Sequence, residues 1–385
     1  MKTAELLISL IKSEITNEKT IENRDFKIDE VALYRLAKMH DLSHFLLGGL
    51  KRNEITIDDP EISKKIKTDA MLAVYRETRF TETADRIREL FNGETIDFIL
   101  LKGTVIRTLY PQSWMRTSCD VDVLVKEEDV ERALKCLICN GFLTDGKKAY
   151  HDYTLRFNEV TVELHFSILE NHEQLDGLLS KVWEYAERVD ASEYRETREF
   201  FAYHHIAHMA YHVLFGGCGI RTFLDLWIMR KKRFYEEEKL SELLKKADLT
   251  KFYETVRDLS DVWFSGKEHT ELTEKLEDYI LSGGVYGTTQ NAGAMKIANN
   301  NGKVGYYFNL AFLPYRNMCD IYPVLKKHKW LLPFYYVRRV FSKLFCRKSE
   351  KRKKNVKTIN SVKDENVKKA EELISGLGLK KSRLV

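Results

Sequence analysis

Asp120-Val121-Asp122-Val123-Leu124-Val125 is the stretch whose reading decides the fold of this chain. Side chains alternate across a β-strand, so Asp120 and Asp122 project to one side, roughly 6–7 Å apart at Cα, while Val121, Val123 and Val125 face the other. The valine face belongs in a core. The aspartate face is unfavourable by itself, because two like charges so close repel unless a divalent cation or a basic group lies between them. Mg²⁺ takes one or two carboxylates together with substrate phosphates, which this spacing suits. An alternating Asp pair also arises by chance, so its neighbours decide its weight.

Upstream, Ile96 to Leu101 reads as a short buried strand running into Lys102-Gly103-Thr104, and Val105 to Tyr110 then has helical spacing and stops at Pro111. A strand–Gly–helix turn leaves backbone N–H groups free for phosphate oxygens, and Lys102 adds a mobile positive charge. Downstream, a helix over Glu127 to Cys139 ends at Asn140-Gly141, and Tyr150 to Phe157 and Val160 to Ile168 read as strands joined at Asn158-Glu159. In the last strand Val160, Val162, Leu164 and Phe166 alternate with Thr161, Glu163, His165 and Ser167. Glu163 and His165 therefore share a polar face. If that strand lies beside the Asp pair with the same face forward, three carboxylates converge.

Lys102-Gly103-Thr104, Arg116, the Asp120–Val125 strand and Glu163-Leu164-His165-Phe166 together resemble the nucleotidyltransferase superfamily typified by DNA polymerase β, and more narrowly an uncharacterised bacterial branch of it. His212 with Arg221 and Asp225, Gly283-Gly284-Val285-Tyr286-Gly287, and the run from Tyr322 to Pro333 are similar to the same branch. The resemblance implies metal ligation by Asp120 and Asp122 and a metal or base role for Glu163. It further implies phosphate contact at Gly103, Thr104, Lys102 and Arg116, with His165, His212, Arg221 and Asp225 in the cleft. Two departures are visible: the usual Gly-Gly or Gly-Ser turn is Gly103-Thr104, which shifts weight to Lys102, and the third acid is Glu where Asp is common.

The expected fold class is α+β, a small mixed sheet flanked by helical regions. The organisation reads as N-terminal helices over 1–92, the sheet core over 93–190, C-terminal helices over 191–345, and a basic linker and tail over 346–385. Helical spacing runs over Glu5 to Ile15, Asp29 to Lys51, Ile62 to Phe91, Phe201 to Leu214, Phe223 to Lys232, Leu240 to Ala247 and Leu272 to Leu281. The tail is read as solvated because Lys343, Arg347, Lys348, Lys351, Arg352, Lys353, Lys354 and Lys357 face only Glu350. Trp330 to Cys346 mixes aromatic and basic residues; the preferred reading is a packed helix, with association to anionic lipid as the alternative.

Composition bounds the remainder. With 385 residues, 44% hydrophobic content and a net charge of +5, the chain is long enough for a separate acceptor surface, but its charge does not by itself argue for nucleic-acid binding. Six scattered cysteines, among them Cys136 and Cys139 inside a helix, argue for packing and for the reducing cytoplasm. No apolar run approaches a membrane span. His204, His208 and His212 share a helix face and read as a polar cleft stripe in preference to a zinc site. The Gly-rich segment from Ser282 to Gly293 lacks a P-loop ending and reads as a connection.

Taken with these features, the resemblance implies a cytoplasmic enzyme using Mg²⁺ (or Mn²⁺) and an NTP, with ATP the expected donor, to transfer a nucleoside monophosphate to an unidentified small molecule, peptide, protein or RNA. Two alternatives stand beside it: phosphoryl transfer at the same site, and a non-catalytic RNA- or protein-binding module on this scaffold.

Overall fold

The computed structural model describes residues 1–22, 26–148, 152–285, 287–345 and 350–381. Seven strands form one sheet: β1 Phe98–Leu100, β2 Asp120–Val125, β3 Leu143–Lys148, β4 Asp152–Phe157, β5 Val160–His165, β6 Ala186–Arg188 and β7 Glu193–Glu196. Their order is β3-β4-β5-β2-β1-β7-β6, with β2 parallel to β5, β1 parallel to β7 and the other pairs antiparallel. Four helices precede the sheet: α1 Thr3–Thr16, α2 Glu30–Met39, α3 Leu46–Arg52 and α4 Pro60–Gly93. Within it lie α5 Gly103–Ile106, α6 Val130–Cys139 and α7 Glu173–Leu179. After it come α8 Arg198–Phe215, α9 Ile220–Lys231, α10 Glu237–Lys246, α11 Thr250–Ser265, α12 Glu271–Gly283 and α13 Thr289–Asn299. The last five are α14 Lys303–Ala311, α15 Tyr315–Ile321, α16 Leu332–Phe345, α17 Glu350–Ser361 and α18 Asp364–Gly376. The chain is thus α+β, with a mixed sheet flanked by helices on both sides of the sequence.

The alternation in β2 works as the sequence implies. Val121, Val123 and Val125 are buried with Phe98, Leu100, Val162 and Leu164, covered by Phe80, Ala84, Ile87 and Phe91 of α4 and by Ala133 and Leu137 of α6. Each buried Val, Leu, Ile or Phe side chain among them contributes about 1.5–3 kcal/mol. The opposite face places Ile99 and Leu124 in the main core with α1 and with α8 to α13. Where Asp120, Asp122, Glu163 and His165 occupy that second face, it turns from core to polar floor.

Local sequence explains the junctions. Asn158 and Glu159 both take left-handed backbone, φ 46° and 67°, which closes a two-residue hairpin between β4 and β5. The helix expected over Asp29 to Lys51 is instead broken: α2 stops at Met39 and Asp41 is left-handed at φ 55°. That break frees the Asp41 carboxylate to reach Arg221 and Thr117. The sheet also runs past residue 190 to β7, whose short strand has no alternating signature. Tyr150, the expected start of β4, and Tyr286, Cys346, Arg347 and Lys348 lie outside the described residues.

Within the stretch expected to be a linker and tail, Glu350–Ser361 and Asp364–Gly376 are helical. Leu373, Ile374, Leu377 and Leu379 are buried in the main core, and Lys380 exchanges backbone hydrogen bonds with the side chains of Gln174 and His172. Four buried apolar residues at the end of α18 and just beyond it outweigh the basic run before them. The Gly-rich connection is packed as well: Val285 N–H donates to the Met39 carbonyl, and a Cβ on Gly287 would meet the Gly216 carbonyl. No helix among the described residues is long and apolar enough to cross a membrane.

Candidate functional site

Parallel pairing puts Asp122 opposite Glu163, Asp120 opposite Thr161 and Leu124 opposite His165. Register partners on adjacent strands point to the same side, so both acids stand on one floor about 4.8 Å apart across the ladder. His165 joins them: its Nε2 lies 3.2 Å from Asp122 Oδ1 and 3.4 Å from Glu163 Oε2. Asp122, Glu163 and His165 offer ligand atoms all within 4.8 Å of one another, and among the described residues they are the one such group of three. Asp120 sits one register step away on the same face, accepting a hydrogen bond from Ser118 Oγ at 3.3 Å.

The electrostatics of the floor call for a cation. Burial opposes a charge on His165, yet its hydrogen bonds to Asp122 and Glu163 push its pKa up to about 9. The imidazolium stands where a metal ion would satisfy the same two carboxylates. Burial, with Asp122 and Glu163 nearby, raises Asp120 to about 6. Burial would raise Asp122 too, but the His165 bond and the Lys102 charge hold it below the ordinary carboxylate range. Two carboxylates with a third close by fit a hard divalent ion such as Mg²⁺ or Mn²⁺.

The turn at Lys102 borders this floor. A Cβ on Gly103 would come within 3.1 Å of Ser118 Oγ, the group that holds Asp120, so glycine permits the close approach. Arg107 clamps the turn by donating from Nε to the Gly103 carbonyl at 2.8 Å while stacking on Phe80 and pairing with Glu77. Thr104 Oγ1 donates back to the Leu101 carbonyl, so its hydroxyl proton is engaged within the turn. Lys102 has no ion pair among the described residues. Burial lowers its pKa, against the pull of Glu170, Asp122, Glu196 and Asp120. Its ammonium nitrogen stands among acids with no ion-pair partner among the described residues.

Arg116, expected beside a triphosphate, is engaged by a carboxylate. Its Nε donates to both oxygens of the fully buried Asp225, at 2.8 and 3.0 Å, and Tyr110 donates to the same carboxylate at 2.6 Å. Arg221, in turn, pairs with Asp41 at 2.8 Å and donates to the Thr117 carbonyl at 3.1 Å, and not to Asp225. Thr117 Oγ1 also donates to Asp41, and His44 Nε2 donates to the Met115 carbonyl. Every residue from Met115 to Ser118 is thereby tied down just before β2 begins. The clamp sets where Asp120 enters the sheet.

The histidine stripe divides. His204 Nδ1 bonds Glu196 at 2.8 Å, with both side chains buried. His208 Nδ1 donates to Glu170 Oε1 at 2.8 Å, which leaves its Nε2 to accept from His212 Nε2 at 2.8 Å. Burial lowers His212 to about 4 and raises Glu170 to about 7. Lys102 depresses His208 and His212 and lowers Glu170, so the chain Glu170–His208–His212 borders the same ammonium as the acid floor. Sequence reasoning missed Glu170, Asp41 and Arg107. Asp41 carried a signal in the His40-Asp41 helix break; the other two follow no pattern that spacing reveals.

An acid-lined strand pair beside a strand–Gly–helix turn defines the class: a nucleotidyltransferase-type α+β enzyme. A family described as uncharacterised nucleotidyltransferase matches residues 27–265, well over half the chain, and the chain belongs to that family. No curated protein and no solved structure matches it.

Proposed function

We propose that this nucleotidyltransferase moves a nucleoside monophosphate from an NTP, with ATP the expected donor, to a hydroxyl or phosphate acceptor and releases pyrophosphate. The observation that carries the reading is the register of β2 and β5, which sets Asp122 against Glu163 with His165 between them. Asp120, Asp122 and Glu163 would hold Mg²⁺ or Mn²⁺, which supplies charge neutralisation across the triphosphate. Glu163 would accept the proton of the attacking acceptor oxygen. That oxygen bonds to the α-phosphorus as the bridging Pα–O bond breaks, and the electron pair leaves with pyrophosphate. Lys102 and the backbone N–H of Gly103 would face the outer phosphates. Arg116 is a positioning residue in this scheme, acting through Asp225 on the segment before Asp120. Five described cysteines, all unpaired, support a cytoplasmic setting.

The experiment uses ATP labelled at the α- or the γ-phosphate, Mg²⁺ or Mn²⁺, and pooled small-molecule, peptide and RNA acceptors. Label from the α-position should enter product with release of pyrophosphate. Asp122→Asn and Glu163→Gln should each lose about 10²–10³-fold or more while keeping the wild-type circular dichroism spectrum. Transfer that survives Asp122→Asn rejects the site. Transfer of γ-label instead assigns the phosphoryl alternative.

A further inference from the structure

We infer that the face presented by α16 and the turn before it docks on an anionic lipid surface. Helix α16 packs on the chain before it through its tyrosines. Tyr336 donates to the Leu313 carbonyl at 2.6 Å, and Tyr335 and Tyr336 pack on the small cluster of Leu313, Met318, Cys319 and Leu325. The other side carries Trp330, Phe334, Val337 and Phe341 at intervals of four, three and four residues, one stripe along the helix, exposed to 76%, 61%, 55% and 54%. Nearby α14 exposes Val304 and Phe308 at 85% and 61%, and its end meets α16 where the Phe312 and Tyr336 rings lie 5.4 Å apart. Among the described residues every exposed Phe or Trp falls between 308 and 341. A protein of this size seldom leaves such a concentration uncovered.

Charge selects the occupant. Between residues 303 and 348 the chain has ten Lys and Arg against one acid, Asp320, whereas the whole chain is only +5, so everything outside that segment is net negative. Lys326, Lys327, Lys329 and Arg338 are exposed beside the stripe. A second copy of the chain would bring the same positive face against itself, which like-charge repulsion disfavours. RNA would match the charge but has no use for exposed Val304, Val337 and Val324, which stacking bases do not cover. A bilayer with acidic headgroups accepts both: aliphatic and aromatic side chains enter the acyl boundary, Trp330 sits at headgroup level, and the lysines meet the phosphates.

The test is sedimentation of the full chain with vesicles of phosphatidylcholine alone and of phosphatidylcholine with about 30% phosphatidylglycerol, at low and high salt. Binding to the acidic vesicles should exceed binding to neutral ones by about tenfold or more and weaken with salt. Phe334→Glu with Phe341→Glu should lower it by a further factor of about ten or more, and Lys326→Glu with Lys327→Glu should lower it and flatten its salt dependence, with soluble nucleotidyl transfer unchanged in both. Equal binding to neutral vesicles, no binding at all, or binding indifferent to both pairs of substitutions overturns the inference. So does a dimer by light scattering that the Phe pair dissolves, which assigns the face to a second copy, or capture of polyuridylate that outcompetes vesicles, which assigns it to RNA.

Discussion

Asp225→Asn should cost this protein about 3 kcal/mol or more, because it strands a buried cation. The carboxylate is fully buried, and the Arg116 side chain is only 10% exposed. Asparagine preserves the shape and one acceptor oxygen. That oxygen still serves Tyr110 at Oδ1, but the second Arg116 contact, at 3.0 Å, and the compensating charge are gone. Breaking one side of a buried pair costs about 3–5 kcal/mol, and the retained oxygen places Asn at the lower end. A surface pair behaves differently: Lys239→Ala removes a bridge whose side chains are 61% and 63% exposed, and it should leave stability within assay error.

Urea denaturation of wild type, Asp225→Asn, and the double variant Arg116→Met with Asp225→Leu measures this directly. The double variant removes both charges and fills the space, so it should recover to within about 1–2 kcal/mol of wild type. Asp225 is driven up by burial but held below its ordinary range by Arg116, His205 and Tyr110. A depressed carboxylate contributes stability above its unfolded pKa of about 4 and loses it as pH falls through its lower folded pKa, so the gap between wild type and Asp225→Asn should narrow as pH falls below about 4. An Asp225→Asn protein within about 1 kcal/mol of wild type at pH 7 would refute the clamp.

Gly103→Ala presses a Cβ to 3.1 Å from Ser118 Oγ, so transfer should fall sharply while stability changes by less than about 1 kcal/mol; an active variant would show that the turn does not set Asp120. Lys102→Met removes a cation that burial already penalises, so its melting temperature should match or exceed wild type while NTP affinity drops about tenfold to a hundredfold. A melting temperature several degrees lower would make Lys102 a structural residue instead. His165 is raised to about 9, so without divalent ions its contribution is complete below pH about 6.5 and disappears as pH rises through 9. Melting curves from pH 6 to 10 should show that decline in wild type and a flatter profile in His165→Gln.

The sequence made the floor of the site legible because strand alternation is local: Asp120, Asp122, Glu163 and His165 each follow from period two. It also made most helices legible, since 3.6-residue spacing survives without tertiary context. What it hid depends on contacts between distant segments. Arg116 reads equally well as a phosphate ligand until Asp225, 109 residues later, is seen against it. Strands β6 and β7 take their form from pairing at the sheet edge, and α17 and α18 hide behind a charge run that is stronger locally than the four buried apolar residues docking the chain's end. Separating Asp120 from the tight group with His165 needed the register of β2 on β5, which no spacing rule supplies.

The parallel pairing of β2 with β5 also bears on how the acids come together. His165 and Asp122 lie 43 residues apart in the chain, so they meet only once the ladder between β2 and β5 zips. The mutual repulsion of the acids is absent from the open chain and arises at that late step, when His165 arrives on the same strand as Glu163 and brings the neutralising proton with it. The imidazole thus serves as a temporary counter-ion for assembly, holding the acids at a separation that a metal ion can later inherit.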